Sequence, residues 1–210
     1  HPEGSVFLPL HMPTFMREKD FIEVYMPTFK KQLQQYAALG IRPQIFCEDN
    51  WMRYLDIIYD EFPAGSMLLF EYGDPKTIKD KLGKKFMLSG LFPISSLRTD
   101  TPAQIIDRAK KFLDIMMPGG GYLFSFDKNP LAAKDANIET WAALNEFLRD
   151  YMVYDNPGES FGTPLNSEGF VRDYNVIPEV ESKYLFNWED HKAKYPHTPD
   201  LAKAKFEKMS

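Results

Sequence analysis

A single cysteine in 210 residues excludes a disulfide scaffold and reads as a chain kept in a reducing compartment. Basic blocks are missing as well. Lys and Arg number 25 against 30 Asp and Glu, a formal charge of −5, so no nucleic-acid partner is expected. No apolar run approaches the roughly 20 residues that span a bilayer and no signal peptide opens the chain, so the expectation is a cytoplasmic protein without a membrane partner. Histidine is scarce: after the first residue, His11 is the only one before the tail. The chain begins His-Pro-Glu in place of Met, which raises the expectation of a fragment of something longer. What is present is 44% hydrophobic and 15% aromatic residues, the composition of a packed globule. Its length suits one larger domain, or one domain with a sizeable appendage, and is enough to bury a full core without disulfides or a structural metal.

Five strand-then-helix units can be read along residues 5–151. The first strand, 5–10, ends at His11-Met12-Pro13, and its helix spans about 18–39 with Gly40 placed to stop it. Pro27 lies inside that helical pattern and predicts a kink or a new first turn. The second strand, 43–46, leads through Cys47-Glu48-Asp49-Asn50 into a helix carrying Met52, Leu55, Ile58 and Tyr59. The third, 66–70, precedes Asp74-Pro75, an N-cap with Pro at the first helical position, and Gly83 as the stop. The fourth, 85–89, precedes Thr101-Pro102-Ala103-Gln104, a capping box before an apolar stripe from Ile105 to Met116. Gly119-Gly120-Gly121 opens the fifth strand, 122–126, and a last helix is expected at 137–151.

Such alternation predicts an α/β fold with a parallel sheet and right-handed crossovers, and places ligands at the carboxyl ends of the strands. Residues 1–152 form this part. The texture then changes, and 153–210 reads as an irregular, Pro-rich extension. Its aromatics, among them Phe161, Phe170, Tyr174 and Trp188, suggest packing on the first part or on a second subunit.

The strand ends supply the candidates for chemistry: His11, then Cys47, Glu48 and Asp49, then Glu71 and Asp74, then Ser125, Asp127 and Lys128. His, Cys and carboxylate are the usual zinc ligands, so His11, Cys47, Glu48 and Asp49 are the candidate metal set. Each also has a structural alternative. His11 can be a satisfied structural histidine, Cys47 a small buried hydrophobe, and Asp49 a helix cap. Glu48 closes an apolar strand and must be paired, hydrated or liganding, with Arg53 a nearby base. Asp74 is explained by capping. The glycine run precedes a strand and does not open a helix, so it is no phosphate cradle.

The run Gly119 to Ser125 (GGGYLFS) resembles the last barrel strand of the uroporphyrinogen decarboxylase superfamily, which also holds the corrinoid-dependent methyltransferases. Four further stretches agree. His11-Met12-Pro13 with 21–31 (FIEVYMPTFKK) resembles a strand feeding a helix with a Leu/Met-Pro step. Residues 43–51 (PQIFCEDNW) resemble the strand that carries a His-x-Cys pair in the methyltransferases. Ser89 to Pro93 with Thr101-Pro102 is similar to a Gly-Asn-x-Pro loop and its helix, and Asn137-Ile138 to the entry of the final helix. The resemblance implies a TIM-type (β/α)8 barrel with about the last five units present and the first three upstream. Two departures matter. Phe126-Asp127-Lys128 stands where the decarboxylases have His-Gly, and the His-x-Cys positions fall on Cys47 and Asp49.

The function so implied is methyl transfer from a small donor to the corrinoid of a partner protein, with His11 and Glu48 catalytic. Zinc would be held by His11, Glu48 and Cys47 or Asp49. Two alternatives stay open: a decarboxylase-type lyase acting on an anionic tetrapyrrole, and a non-catalytic barrel fragment acting as a binding subunit. Five barrel strands alone leave free edges and an apolar face, which predicts an oligomer or association with the upstream half.

Overall fold

A computed structural model describes residues 4–154 and 187–203. The chain divides into two compact units, residues 1–171 and 172–210. The expected extension, 153–210, spans the end of the first and all of the second, and 155–186, with most of its aromatics, lies outside the described residues.

The first unit is an α/β fold built on five parallel strands: β1 (Ser5–Leu10), β2 (Arg42–Asn50), β3 (Met67–Tyr72), β4 (Met87–Gly90) and β5 (Tyr122–Leu123). They lie side by side in chain order, β1-β2-β3-β4-β5, so each strand pairs with its neighbour in the chain. Pro9, which has no N–H to give a ladder, sits in the edge strand β1 where its loss is tolerated. Period-two alternation sorts the residues by face. Ile45 and Cys47, Leu68 and Phe70, and Leu88 are wholly buried and join helix residues Phe21, Leu33, Ile58, Ile78, Ile105 and Leu113 in one hydrophobic cluster. On the opposite face Phe7 and Leu123 remain about half exposed, and Phe7 stacks on Phe46.

The connections follow from local chemistry. A short α1 (Glu18–Asp20) runs through a π turn at Phe21–Tyr25 into α2 (Met26–Ala38). Pro27 stands in the first turn of α2, the second of the two outcomes expected for it. Met26 N–H reaches back five residues to the Phe21 carbonyl, the wider turn leaves room beside the proline ring, and the helix continues. Gly40, at φ 68°, then ends the helix in the left-handed conformation while Ile41 N–H bonds Tyr36 O. A 3-10 turn (Met52–Tyr54) leads into α3 (Leu55–Glu61), and α4 (Pro75–Leu82) starts on Asp74, whose carboxylate accepts the Thr77 N–H at 2.8 Å. After the short α5 (Ser96–Thr99), α6 (Pro102–Met116) carries the full Thr101–Gln104 capping box, and α7 (Ile138–Tyr151) starts on an Asn137 cap.

β5 is shorter than expected. All three glycines 119–121 have positive φ, and after Leu123 the chain leaves the ladder, touching it again through a single bridge between Phe126 and Phe92. Gly90 permits the close approach of β3 and β4: at φ 83°, an added Cβ would lie 2.3 Å from the Phe70 carbonyl oxygen. In the second unit α8 (Trp188–Lys194) starts on an Asn187 cap and stacks Trp188 on His191. Among the described residues no helix is long and apolar enough to cross a membrane.

Candidate functional site

The strand-end residues form a polar row along the carboxyl edge of the sheet. β1 and β2 pair in register up to Leu10 opposite Cys47, so the next pair on the open side is His11 and Glu48. The structure brings them into direct contact, His11 Nδ1 against Glu48 Oε2, with the imidazole largely exposed and the carboxylate mostly covered. Arg53, the base expected to be available to Glu48, is engaged elsewhere. Its guanidinium donates to the carbonyls of Pro13, Thr14 and Met16 at 3.2, 2.8 and 2.8 Å. The buried Tyr54 hydroxyl lies 2.9 Å from Pro13 O and 3.0 Å from Met16 O. These two side chains of the β2–α3 connection clamp the loop that follows His11.

A second pair continues the row. Glu71, at the end of β3, holds the Lys128 ammonium at 2.5 Å through one carboxylate oxygen and accepts the Asp49 N–H at 2.9 Å through the other. Burial alone would raise the Glu71 pKa, but these two donors prevail and hold it below the usual carboxylate range. The Lys128 pKa is raised by its bond to Glu71, with the fields of Asp127 and Asp49 adding to it. Asp127 staples the loop after β5 onto the loop after β4, accepting Ile94 N–H at 2.9 Å while its own N–H reaches Phe92 O at 2.8 Å. The Ser125 hydroxyl turns to the neighbouring Phe126 carbonyl.

Of the four candidate metal ligands, the structure joins His11 and Glu48 and does not join Cys47 to them. Cys47 points into the core on the opposite face of β2, fully buried, and burial pushes its thiol pKa up, away from the thiolate that binds zinc. Asp49 contributes its N–H to Glu71, at a φ of 60°. Among the described residues no three His, Cys, Asp or Glu side chains are arranged to hold a metal ion. Among the described residues, His11 and Glu48 bring together one nitrogen and one oxygen donor, short of the three protein ligands of a catalytic zinc.

Glu71 and Lys128 stand among the strand-end candidates of the sequence but outside the favoured set. The signal for Glu71 is the one that singles out Glu48, a carboxylate closing an apolar strand. The Arg53–Tyr54 clamp has no counterpart in sequence pattern. Cavities of about 500 Å³ lie away from the row: one against Lys79, Gly83, Ile115 and Gly119 at the amino ends of the strands, another by Ile106, Phe147 and Tyr151 on α6 and α7. Neither a protein-family model nor a curated protein sequence matches this chain.

Proposed function

We propose that this chain is the carboxyl-terminal part of a (β/α)8-barrel enzyme of the uroporphyrinogen decarboxylase-like superfamily. Its reaction is methyl transfer from a small donor to a corrinoid carried by a partner protein. The observation that carries the reading is the contact of His11 with Glu48 at the carboxyl ends of neighbouring parallel strands, where barrel enzymes assemble their chemistry.

A carboxylate bound at Nδ1 fixes the orientation of an imidazole and leaves Nε2 for the substrate. In the proposed step the protonated His11 donates from Nε2 to the heteroatom that bears the methyl group. The carbon–heteroatom bond breaks, its electron pair stays on the heteroatom, and the proton from His11 neutralises the leaving group. Glu48 holds the imidazolium before transfer and keeps the ring aimed afterwards, and solvent restores the proton through the exposed side of His11. The reduced corrinoid, as the acceptor substrate, supplies the electron pair that forms the new bond to the methyl carbon.

The charge of the row supports methyl transfer over decarboxylation. Glu48, Asp49, Glu71 and Asp127 accompany His11 and Lys128, so a polyanionic tetrapyrrole is repelled, while a neutral donor with a lone pair to take the proton is not. The test uses the protein in its native assembly with reduced cobalamin as acceptor and a panel of methoxyarenes, methylamines and methyl sulfides as donors. Consumption of the acceptor is followed by its absorbance. One donor class should turn over, and His11→Ala should slow it by about a hundredfold or more. Equal rates in the two proteins would overturn the reading.

A further inference from the structure

The second ladder of the sheet contains an irregularity at the site. Cys47 pairs with Phe70 and Asn50 with Tyr72, so two residues of β2, Glu48 and Asp49, stand opposite one residue of β3, Glu71. That is a β-bulge, a device that re-aims side chains beside active sites. Asp49 adopts φ 60°, a left-handed conformation that residues with a Cβ seldom take. The Glu48 main chain is gripped from two sides. Buried Trp51 donates its indole N–H to the Glu48 carbonyl at 2.9 Å, and the Asp49 N–H that follows is received by Glu71 at 2.9 Å. Lys128, 2.5 Å away, holds Glu71 from the loop after β5.

We infer that Glu71 is the positioning residue of this site: its carboxylate, held by Lys128, pins the Glu48–Asp49 bulge and thereby aims Glu48 at His11. The inference rests on the reading of His11 and Glu48 as the working pair, and extends it to a residue that touches neither reacting atoms nor His11. The competing description is a partly exposed ion pair with little consequence beyond itself.

The experiment measures carbethoxylation of His11 by diethyl pyrocarbonate, resolved by peptide mass spectrometry, with His197 of the same molecule as the internal reference. Glu48→Gln sets the rate of an unheld His11. Glu71→Leu, which removes the acceptor for Asp49 N–H, should bring the His11 rate at least about threefold away from wild type and towards that of Glu48→Gln, and combining the two should add nothing further. Glu71→Gln keeps an acceptor oxygen and should stay near wild type. Asp49→Gly, which adopts the left-handed conformation freely, should rescue Glu71→Leu. Lys128→Met probes the same coupling from an exposed loop without altering a strand, and should move the rate in the same direction. A wild-type rate in both Glu71→Leu and Lys128→Met, with Glu48→Gln changed, would overturn the positioning role. A His11 rate unmoved even by Glu48→Gln would overturn the pair itself. Loss of methyl transfer plays no part in the readout, so failure of the proposed reaction is a separate result.

Discussion

The clamp under His11 makes a quantitative prediction about shared acceptors. Tyr54 is fully buried, and its hydroxyl lies within hydrogen-bond reach of the same two carbonyls, Pro13 O and Met16 O, that receive the Arg53 guanidinium. Tyr54→Phe leaves both carbonyls with Arg53, so it should cost only the net value of the lost bonding, about 1 kcal/mol. Arg53→Met keeps most of the aliphatic stem and leaves Met16 O to the single Tyr54 O–H, while Pro13 O keeps the Met16 N–H. Its guanidinium is exposed, so about 1 kcal/mol is again expected. The double variant removes every side-chain donor at once; Pro13 O keeps the Met16 N–H, but Met16 O at the edge of the core is left unsatisfied, a penalty of about 1–3 kcal/mol in its own right. The sum should therefore be about 3–5 kcal/mol, more than the two single changes together. Urea unfolding resolves this. With a slope of roughly 2 kcal/mol per molar, each single change should lower the midpoint by about 0.5 M and the pair by about 1.5 M or more. A double variant that is additive, or no worse than either single, would refute the claim that the two donors cover for one another.

Three further outcomes are expected. Glu71 has a lowered folded-state pKa, so its bonds contribute stability above the unfolded carboxylate range, and that contribution is lost as pH falls through the folded value; Glu71→Gln should flatten the acid limb of stability against pH below about 4.5, and an unchanged limb would count against the pairing with Lys128. Gly90→Ala forces a Cβ onto the Phe70 carbonyl at positive φ and should destabilise by about 3 kcal/mol or more, read as a drop in melting temperature; a loss under about 0.5 kcal/mol would refute the close approach of β3 and β4. Cys47, buried and held as the thiol, should react with disulfide reagents on the order of a thousandfold more slowly than a free thiol, at a rate set by unfolding, and rapid labelling of the native protein would refute its core position.

Where local chemistry dictates structure, the sequence is readable. The caps at Asp74 and Thr101, the stripe from Ile105 to Met116 and the alternation of strands with helices all reappear in the fold. Interactions between distant segments are where reading fails. Glu48-Asp49-Asn50 has the composition of a turn, so β2 is predicted to stop at residue 46, yet β3 supplies partners that extend it to residue 50 through a bulge. The apolar run 122–126 has the composition of a strand, yet only Tyr122 and Leu123 find a ladder, because β4 itself ends at Gly90. At the site, the contact of His11 with Glu48 follows from the strand-end rule. The separation of Cys47 from them also follows from period-two alternation, since neighbours along a strand face opposite sides. Glu71 and Lys128 come together across the end of β4, and only tertiary structure reveals that pairing.

The chain order of the strands also bears on how the polypeptide acquires its shape during synthesis. Each strand docks on the one made just before it, so the sheet can lengthen as the polypeptide emerges, closing one short loop at a time without waiting for a remote partner. His11 can meet Glu48 as soon as β2 has docked. Lys128 is made much later, after β5, and until then the Glu71 carboxylate lacks its counter-charge. A ribosome-bound intermediate halted after β4 would already carry the imidazole–carboxylate pair, but it would hold the neighbouring carboxylate open to solvent cations, a difference that arrest at successive lengths would expose.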